Sequence, residues 1–175
     1  MELFEAIQKR YSYRDDFKDA PVHREDLTRI VSAGLEAPSG CNAQTTTFVI
    51  VDDPGIMDEI RKVHNMRAVQ DAKAFIAAVV NKTPKPVYGK SSFEVEDCSA
   101  AVQNMLLAVT ALGYATVWID GALRDEGRAE KINRLLGIPA DKTVRIILPI
   151  GVPAHEGPRK PKKPFADRVA FNRHQ

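Results

Sequence analysis

Cysteine is scarce in this sequence: Cys41 and Cys98 are the two thiols among 175 residues. Two thiols make neither a disulfide framework nor a cysteine-based zinc site, and without a pattern they suit a reducing cytoplasm. Long apolar runs are missing as well. The longest fall far short of the roughly 20 residues that a membrane span needs. The opening MELFEAIQKRYSYR contains no uninterrupted apolar stretch of the kind that marks a secretory leader. An excess of one charge is also absent: 25 basic against 23 acidic side chains leave a formal +2. Bulk electrostatics therefore make no case for a nucleic-acid partner. The expectation is a cytoplasmic protein of one domain, residues 1–175, that engages neither membrane nor nucleic acid.

Familiar catalytic motifs are absent too. No G-x-G-x-x-G follows a strand, and neither a phosphate-loop motif nor a G-x-S-x-G elbow occurs. His23, His64, His155 and His174 share no metal-ligand spacing. The acidic residues fall on predicted helix surfaces without an obvious pair for acid–base work. No side chain is marked as a catalytic acid, base or metal ligand, so the chemistry is expected from a bound cofactor that the protein positions and tunes.

What is present centres on Asp97 to Gly121, DCSAAVQNMLLAVTALGYATVWIDG. Ser99 to Leu112 is apolar on nearly every face, broken chiefly by Gln103, Asn104 and Thr110. A surface helix shows one apolar stripe, so this one should be buried within the chain or between two copies of it. Gly113 ends it, Ala115–Ile119 reads as a buried strand, and Asp120-Gly121 as a tight turn open to close approach. Other predicted helices are Glu2–Lys9, His23–Glu36 (Leu27, Ile30, Val31, Gly34 and Leu35 inward), Ile56–Val63 and Arg124–Leu136 (Ile132, Leu135 and Leu136 inward). Strands are predicted at Thr45–Val51, Ala72–Val80 and Thr143–Gly151. Helices and strands mix with few hairpin signals, which gives an α+β or α/β class around one sheet.

Four polar stretches stand out. In Arg10-Tyr-Ser-Tyr-Arg14, an extended chain puts residues 10, 12 and 14 on one side. Such a face is either plain solvated surface or a match for a phosphate or polar ring edge. Ala37-Pro-Ser-Gly-Cys-Asn-Ala-Gln44 is a loop whose amides suit either a planar heterocycle or local Asx turns. Residues 81–96 form a lid or a plain connector, with Tyr88, Lys90 and Phe93 as its contact residues. The tail, 154–175, opens with the basic, proline-stiffened run Pro158–Pro164. Phe165, Val169 and Phe171 beyond it are too apolar for a free end and are expected to dock.

In this order and at these separations, four motifs resemble the FMN-dependent nitroreductase family: Arg10–Arg14, Ala37–Gln44, Asp97–Asn104 through Trp118-Ile-Asp-Gly121, and Ile150–Pro153 with Pro158-Arg-Lys160. The resemblance implies an α+β fold, a central mixed or antiparallel sheet flanked by helices, and an entwined homodimer with FMN at its interface. Arg10, Ser12 and Arg14, with Tyr11 in the same run, would hold the phosphate, ribityl chain and pyrimidine edge. Arg159 with Lys160 would add a second phosphate contact. Pro38, Ser39, Gly40 and Asn42, joined by Gln44, would come from the partner chain. Trp118, Ile119, Asp120 and Gly121 would pass by the flavin N5, and Asn65 would touch the ring. NADH or NADPH would reduce the flavin, and a nitroaromatic, quinone or similar small acceptor would take the electrons in a ping-pong cycle. The same fold would also serve reductive dehalogenation, ene reduction, flavin fragmentation or flavin binding without turnover. Thr45 and Thr46 stand where the family commonly has Pro and Trp, and the 81–96 segment is short beside large helical lids.

Overall fold

The computed structural model describes residues 1–174. Four strands, β1 (Thr47–Val51), β2 (Ala74–Asn81), β3 (Ala115–Thr116) and β4 (Lys142–Gly151), form one antiparallel sheet in the order β1-β2-β4-β3. Among the described residues, six α-helices flank it: α1 (Leu3–Lys9), α2 (Arg24–Leu35), α3 (Pro54–Val63), α4 (Arg67–Gln70), α5 (Glu94–Ala111) and α6 (Arg128–Leu135). Among the described residues, no helix is long and apolar enough to cross a membrane.

β2 is apolar at every position from Ala74 to Val80 because both its faces are covered. Alternate side chains of a strand point to opposite faces. Phe75, Ala77 and Val79 join Met57 and Ile60 of α3, Val69 of α4 and Ile132 of α6. Ala74, Ile76, Ala78 and Val80 join Leu27 and Ile30 of α2 and Val102, Met105, Leu106 and Val109 of α5. Two cores therefore sandwich the sheet, and a bulge at Ala78/Val79 opposes Arg145 on β4.

Several predicted elements change. α5 starts at Glu94, so the connector is shorter than 81–96: Asn81 closes β2, and Glu94 and Glu96 lie in the first helical turn. Three acidic residues there complement the positive end of the helix. The predicted strand 115–119 keeps its ladder only at Ala115–Thr116, with one further bridge at Ile119–Ile147. Gly121–Arg124 is a 3-10 turn rather than a tight turn, which delays α6 to Arg128. The polar stretch after Val63 contains α4, whose Ala68 and Val69 are buried. Gly113 ends α5 as expected, at φ +84°.

Burial also departs from the pattern. Leu35 is 64% exposed, and Val31, Leu135 and Leu136 are only partly covered. On α1 only Ala6 is buried, while Leu3, Phe4 and Ile7 face solvent. The tail is extended apart from a 3-10 turn at Phe165–Asp167, and its Phe165, Val169 and Phe171 are exposed. None of the three is buried among the described residues.

Cys98 is fully buried, and burial pushes its thiol up to about 12. The thiolate is the reacting form. Iodoacetamide at pH 8 should therefore modify at most one thiol per folded chain, and the second only in denaturant. Counting adducts by mass spectrometry checks this.

Candidate functional site

The run Arg10–Arg14 is fixed by its tyrosines. Tyr13 is buried, its N–H donates to Thr116 O at 2.9 Å, and its hydroxyl accepts from Ala154 N–H at 3.2 Å. That hydroxyl also donates to Asp16 O. With Tyr13 pointing in, Arg14 is left exposed and Arg10 and Ser12 half-buried. Arg14 contacts only Ser12 O among the described hydrogen-bond acceptors, at 3.2 Å. Tyr11 reaches the tail: its hydroxyl accepts from Gly157 N–H at 3.2 Å, and the Arg159 guanidinium lies 5.3 Å from its ring centre. Arg159 also donates to Gln8 O at 3.2 Å. Folding thus brings Arg159, from the other end of the sequence, against Tyr11 of the Arg10–Arg14 run. Lys160 beside them is exposed.

The Tyr13–Thr116 hydrogen bond sets this run beside the segment that leads to Trp118, Ile119, Asp120 and Gly121. Ile119 is buried and Trp118 half-buried. Asp120 accepts two hydrogen bonds from Arg124, both 2.8 Å, with Arg145 at 3.6 Å. Gly121 is exposed, and a Cβ there would meet nothing within 4 Å. The approach to its backbone is open.

Asn65 is exposed in the bend between α3 and α4. Next to it, Arg67 donates to Asp16 Oδ2 at 2.6 Å, tying the bend to the end of the Arg10–Arg14 run. His64 accepts from Met66 N–H at 3.0 Å, and burial, aided by the Arg128 charge, holds its ring below the usual histidine range. The hydrogen bond with His155 holds the Asp15 carboxyl below its usual range, and that with Arg67 does the same for Asp16. Lowered carboxyl pKa values stabilise the fold above the ordinary carboxylate range, near pH ~4, and this support fades as pH falls through the lowered values. Both pairs are at the surface and screened, so the effect is small.

The loop at Pro38–Gln44 lies elsewhere. Gly40 N–H donates to Asp97 Oδ1 at 2.8 Å, and a Cβ on Gly40 would fall 2.2 Å from the Phe93 ring. It therefore packs on the first turns of α5, whereas Thr116 follows the end of that helix. α5 has 18 residues, or about 27 Å of helix. Among the described residues, no hydrogen bond or ion pair joins Pro38–Gln44 to Arg10–Arg14. Pro38, Asn42 and Gln44 are exposed, with Ser39 and Gly40 half-buried. Cys41, Asn42 and Gln44 all adopt left-handed backbone, at φ 51°, 55° and 49°, a conformation that concentrates at functional loops. The hydroxyls of Thr45 and Thr46 are shielded from water and have no hydrogen-bond partner among the described residues.

The proposed lid splits in two. Tyr88, 71% exposed, and Lys90 flank Gly89 in a small hairpin closed by the Tyr88–Ser91 bridge. Phe93 is a wedge against Gly40 rather than a free contact residue. Two side chains missed from the sequence matter here. Asp97 and Glu94 are buried, and Glu94 accepts from Asn81 N–H and Nδ2, at 2.7 and 2.8 Å. Their place in the acidic first turn of α5 was the available signal. Among the described residues, no three His, Cys, Asp or Glu side chains cluster as a metal site would need.

Comparison with known proteins fits this arrangement. The profile described as the nitroreductase family matches residues 7–74 and 59–152. A protein of Methanothermobacter thermautotrophicus, provisionally named NADH dehydrogenase/NAD(P)H nitroreductase, is 34% identical over 155 residues, spanning 88% of this chain and 78% of its own. An NADPH-dependent oxidoreductase of Staphylococcus epidermidis is 26% identical over 196 aligned positions, 99% of this chain and 76% of that protein. The solved NADPH:FMN oxidoreductase of Vibrio harveyi, complexed with NAD+, superposes with a TM-score of 0.82 at 27% identity, covering 99% of this chain and 78% of that one. With a family profile that spans most of its length and a relative above 30% identity, the chain belongs to the nitroreductase family.

Proposed function

We propose that this chain, an FMN-dependent NAD(P)H oxidoreductase of the nitroreductase family, works as one domain over residues 1–175 and binds FMN between two copies of itself. Donor and acceptor take turns in a ping-pong cycle, and the acceptor is a nitroaromatic, a quinone or a related small molecule. The observation that carries this reading is the seating of Arg159 from the tail on Tyr11 of the Arg10–Arg14 run, which the Tyr13–Thr116 hydrogen bond sets beside the segment that leads to the open Gly121. Guanidinium groups suit a phosphate, and an uncovered backbone suits a planar ring.

When bound, FMN supplies the two-electron relay between nicotinamide and acceptor. The chain's part is to hold and orient it. Arg159, with Lys160 beside it, neutralises the phosphate, and Arg10, Ser12 and Arg14 contact the ribityl chain and pyrimidine edge. A guanidinium at that edge also favours the added negative charge electrostatically. Asp120, held by Arg124, keeps the Trp118–Gly121 turn against the ring, and Asn65 reaches the ring from the α3–α4 bend. Pro38, Ser39, Gly40, Asn42 and Gln44 lie at the other end of α5, which supports their arriving from the second copy. The exposed Leu3, Phe4 and Ile7 of α1 and Phe165, Val169 and Phe171 of the tail support that assembly, since exposed large apolar side chains suit an interaction surface.

The test is an absorbance spectrum of the purified protein, followed by anaerobic NADH and then NADPH. A yellow protein bleached by either nucleotide is expected; a colourless protein that FMN does not reconstitute would sink the reading. Within it, Arg14→Ala should weaken FMN binding by roughly 1.5–3 kcal/mol, the loss of a charge-assisted hydrogen bond. Unchanged affinity in a fluorescence titration would remove Arg14 from the site.

A further inference from the structure

We infer that Asp97 is a positioning residue: its buried carboxylate pins Gly40 and thereby presets the Pro38–Gln44 loop for the flavin, with Phe93 wedging the same point from the lid. The inference rests on the proposed placement of that loop at the flavin. Asp97 is 8% exposed and forms no salt bridge among the described residues. Its Oδ1 takes the Gly40 N–H at 2.8 Å. Among the described residues it is the sole side chain outside Pro38–Gln44 that hydrogen-bonds to that loop. The loop's own bonds are short-range: Asn42 N–H to Ser39 O at 2.9 Å, Ala43 N–H to Gly40 O at 3.0 Å, and Gln44 N–H to Ser39 Oγ at 3.1 Å.

The loop carries three left-handed, non-glycine residues, which persist only where surroundings hold them. At its exit, the Thr45 and Thr46 hydroxyls anchor nothing. At its entry, Gly40 must lack a side chain because the Phe93 ring fills that space. Phe93 also precedes α5, so the lid hairpin, the helix start and the loop meet at Gly40. Buried carboxylates are retained at a cost in desolvation, and here the return is a fixed loop geometry before the cofactor arrives, which lowers the ordering cost of binding.

The experiment compares the wild-type chain with Asp97→Ala and Asp97→Asn. Hydrogen–deuterium exchange is followed over residues 37–44 without FMN, together with FMN affinity by fluorescence titration and the KM-against-kcat split for NADPH. Asp97→Ala should exchange faster at Gly40 and bind FMN about tenfold more weakly or worse, with kcat at saturating FMN nearly restored. Asp97→Asn keeps an acceptor oxygen and should stay close to wild type in both readouts. Should Asp97→Ala not fold, Asp97→Ser, too short to reach Gly40, takes its place. Unchanged exchange in Asp97→Ala overturns the pinning. Faster exchange with unchanged FMN affinity overturns the positioning role, leaving Asp97 a local structural contact. A wild-type chain that takes up no FMN overturns the flavin reading on which the role depends, while the exchange comparison still reads the Asp97–Gly40 contact by itself.

Discussion

Leu106→Glu should leave no folded protein at 25 °C. Leu106 is 5% exposed in a cluster whose buried members are all apolar, from Leu27 and Ile30 on α2 to Ile146 and Leu148 on β4. Losing its burial costs roughly 1.5–3 kcal/mol. A carboxylate in its place costs several more, whether it stays charged or takes up a proton. The sum approaches the roughly 5–15 kcal/mol that holds a typical domain together. Far-UV circular dichroism gives the answer. The same variant separates two explanations for an apolar helix, since burial within one chain predicts unfolding. A native spectrum from a dissociated protein would place Leu106 between copies instead.

Deleting residues 158–175 should do the reverse, sparing the fold and abolishing the proposed dimer. The removed segment is exposed throughout its described residues, and its recorded ties to the chain are few: Arg159 to Gln8 O and over Tyr11. Phe165, Val169 and Phe171 remain exposed on their own chain, at 67%, 41% and 81%. If a second copy covers them, each contributes roughly 1.5–3 kcal/mol. Even at the low end, three such side chains change a dimer dissociation constant by about three orders of magnitude. Sedimentation should show the truncated protein as a folded monomer at micromolar concentration, and loss of the proposed Arg159 phosphate contact should weaken its FMN binding. A truncated protein that remains a dimer would move the interface to α1 and leave the tail without a role in it.

The sheet was legible because its strands are uniform. Ala74–Val80 on β2 and Ile146–Ile150 on β4 are unbroken apolar runs, and a central strand in a two-core protein needs that. Gly113 and the Arg10–Arg14 alternation were legible for equally local reasons, a left-handed helix end and a two-residue period. What escaped the sequence depends on distant partners. Glu94 and Asp97 look like surface acids until Asn81 and Gly40 are folded against them. Phe93 looks like a lid aromatic until Gly40 fills the space under its ring. Val117 and Trp118 have strand-like side chains but leave the ladder where the register sets Val117 opposite Pro149, which has no N–H to donate. The left-handed Cys41 and Gln44 carry no propensity signal at all. Leu35, Phe4 and Ile7 have core-like spacing on their helices, and one chain supplies no core for them.

The pairing of β2 with β4 also sets how the protein reaches its structure. Asn81 pairs with Lys142 and Ala74 with Ile150, so each rung joins positions more than sixty residues apart, with α5, β3 and α6 between them. Loop closure over such separations comes before any contact rewards it. The rate of folding should therefore be governed by β4 finding β2, and the helices that form early must wait with their apolar faces uncovered. During synthesis, β2 and α5 leave the ribosome well before β4 exists. Ile76 and Leu106 then share a half-built core, so the interval before β4 arrives is when the chain is most open to aggregation.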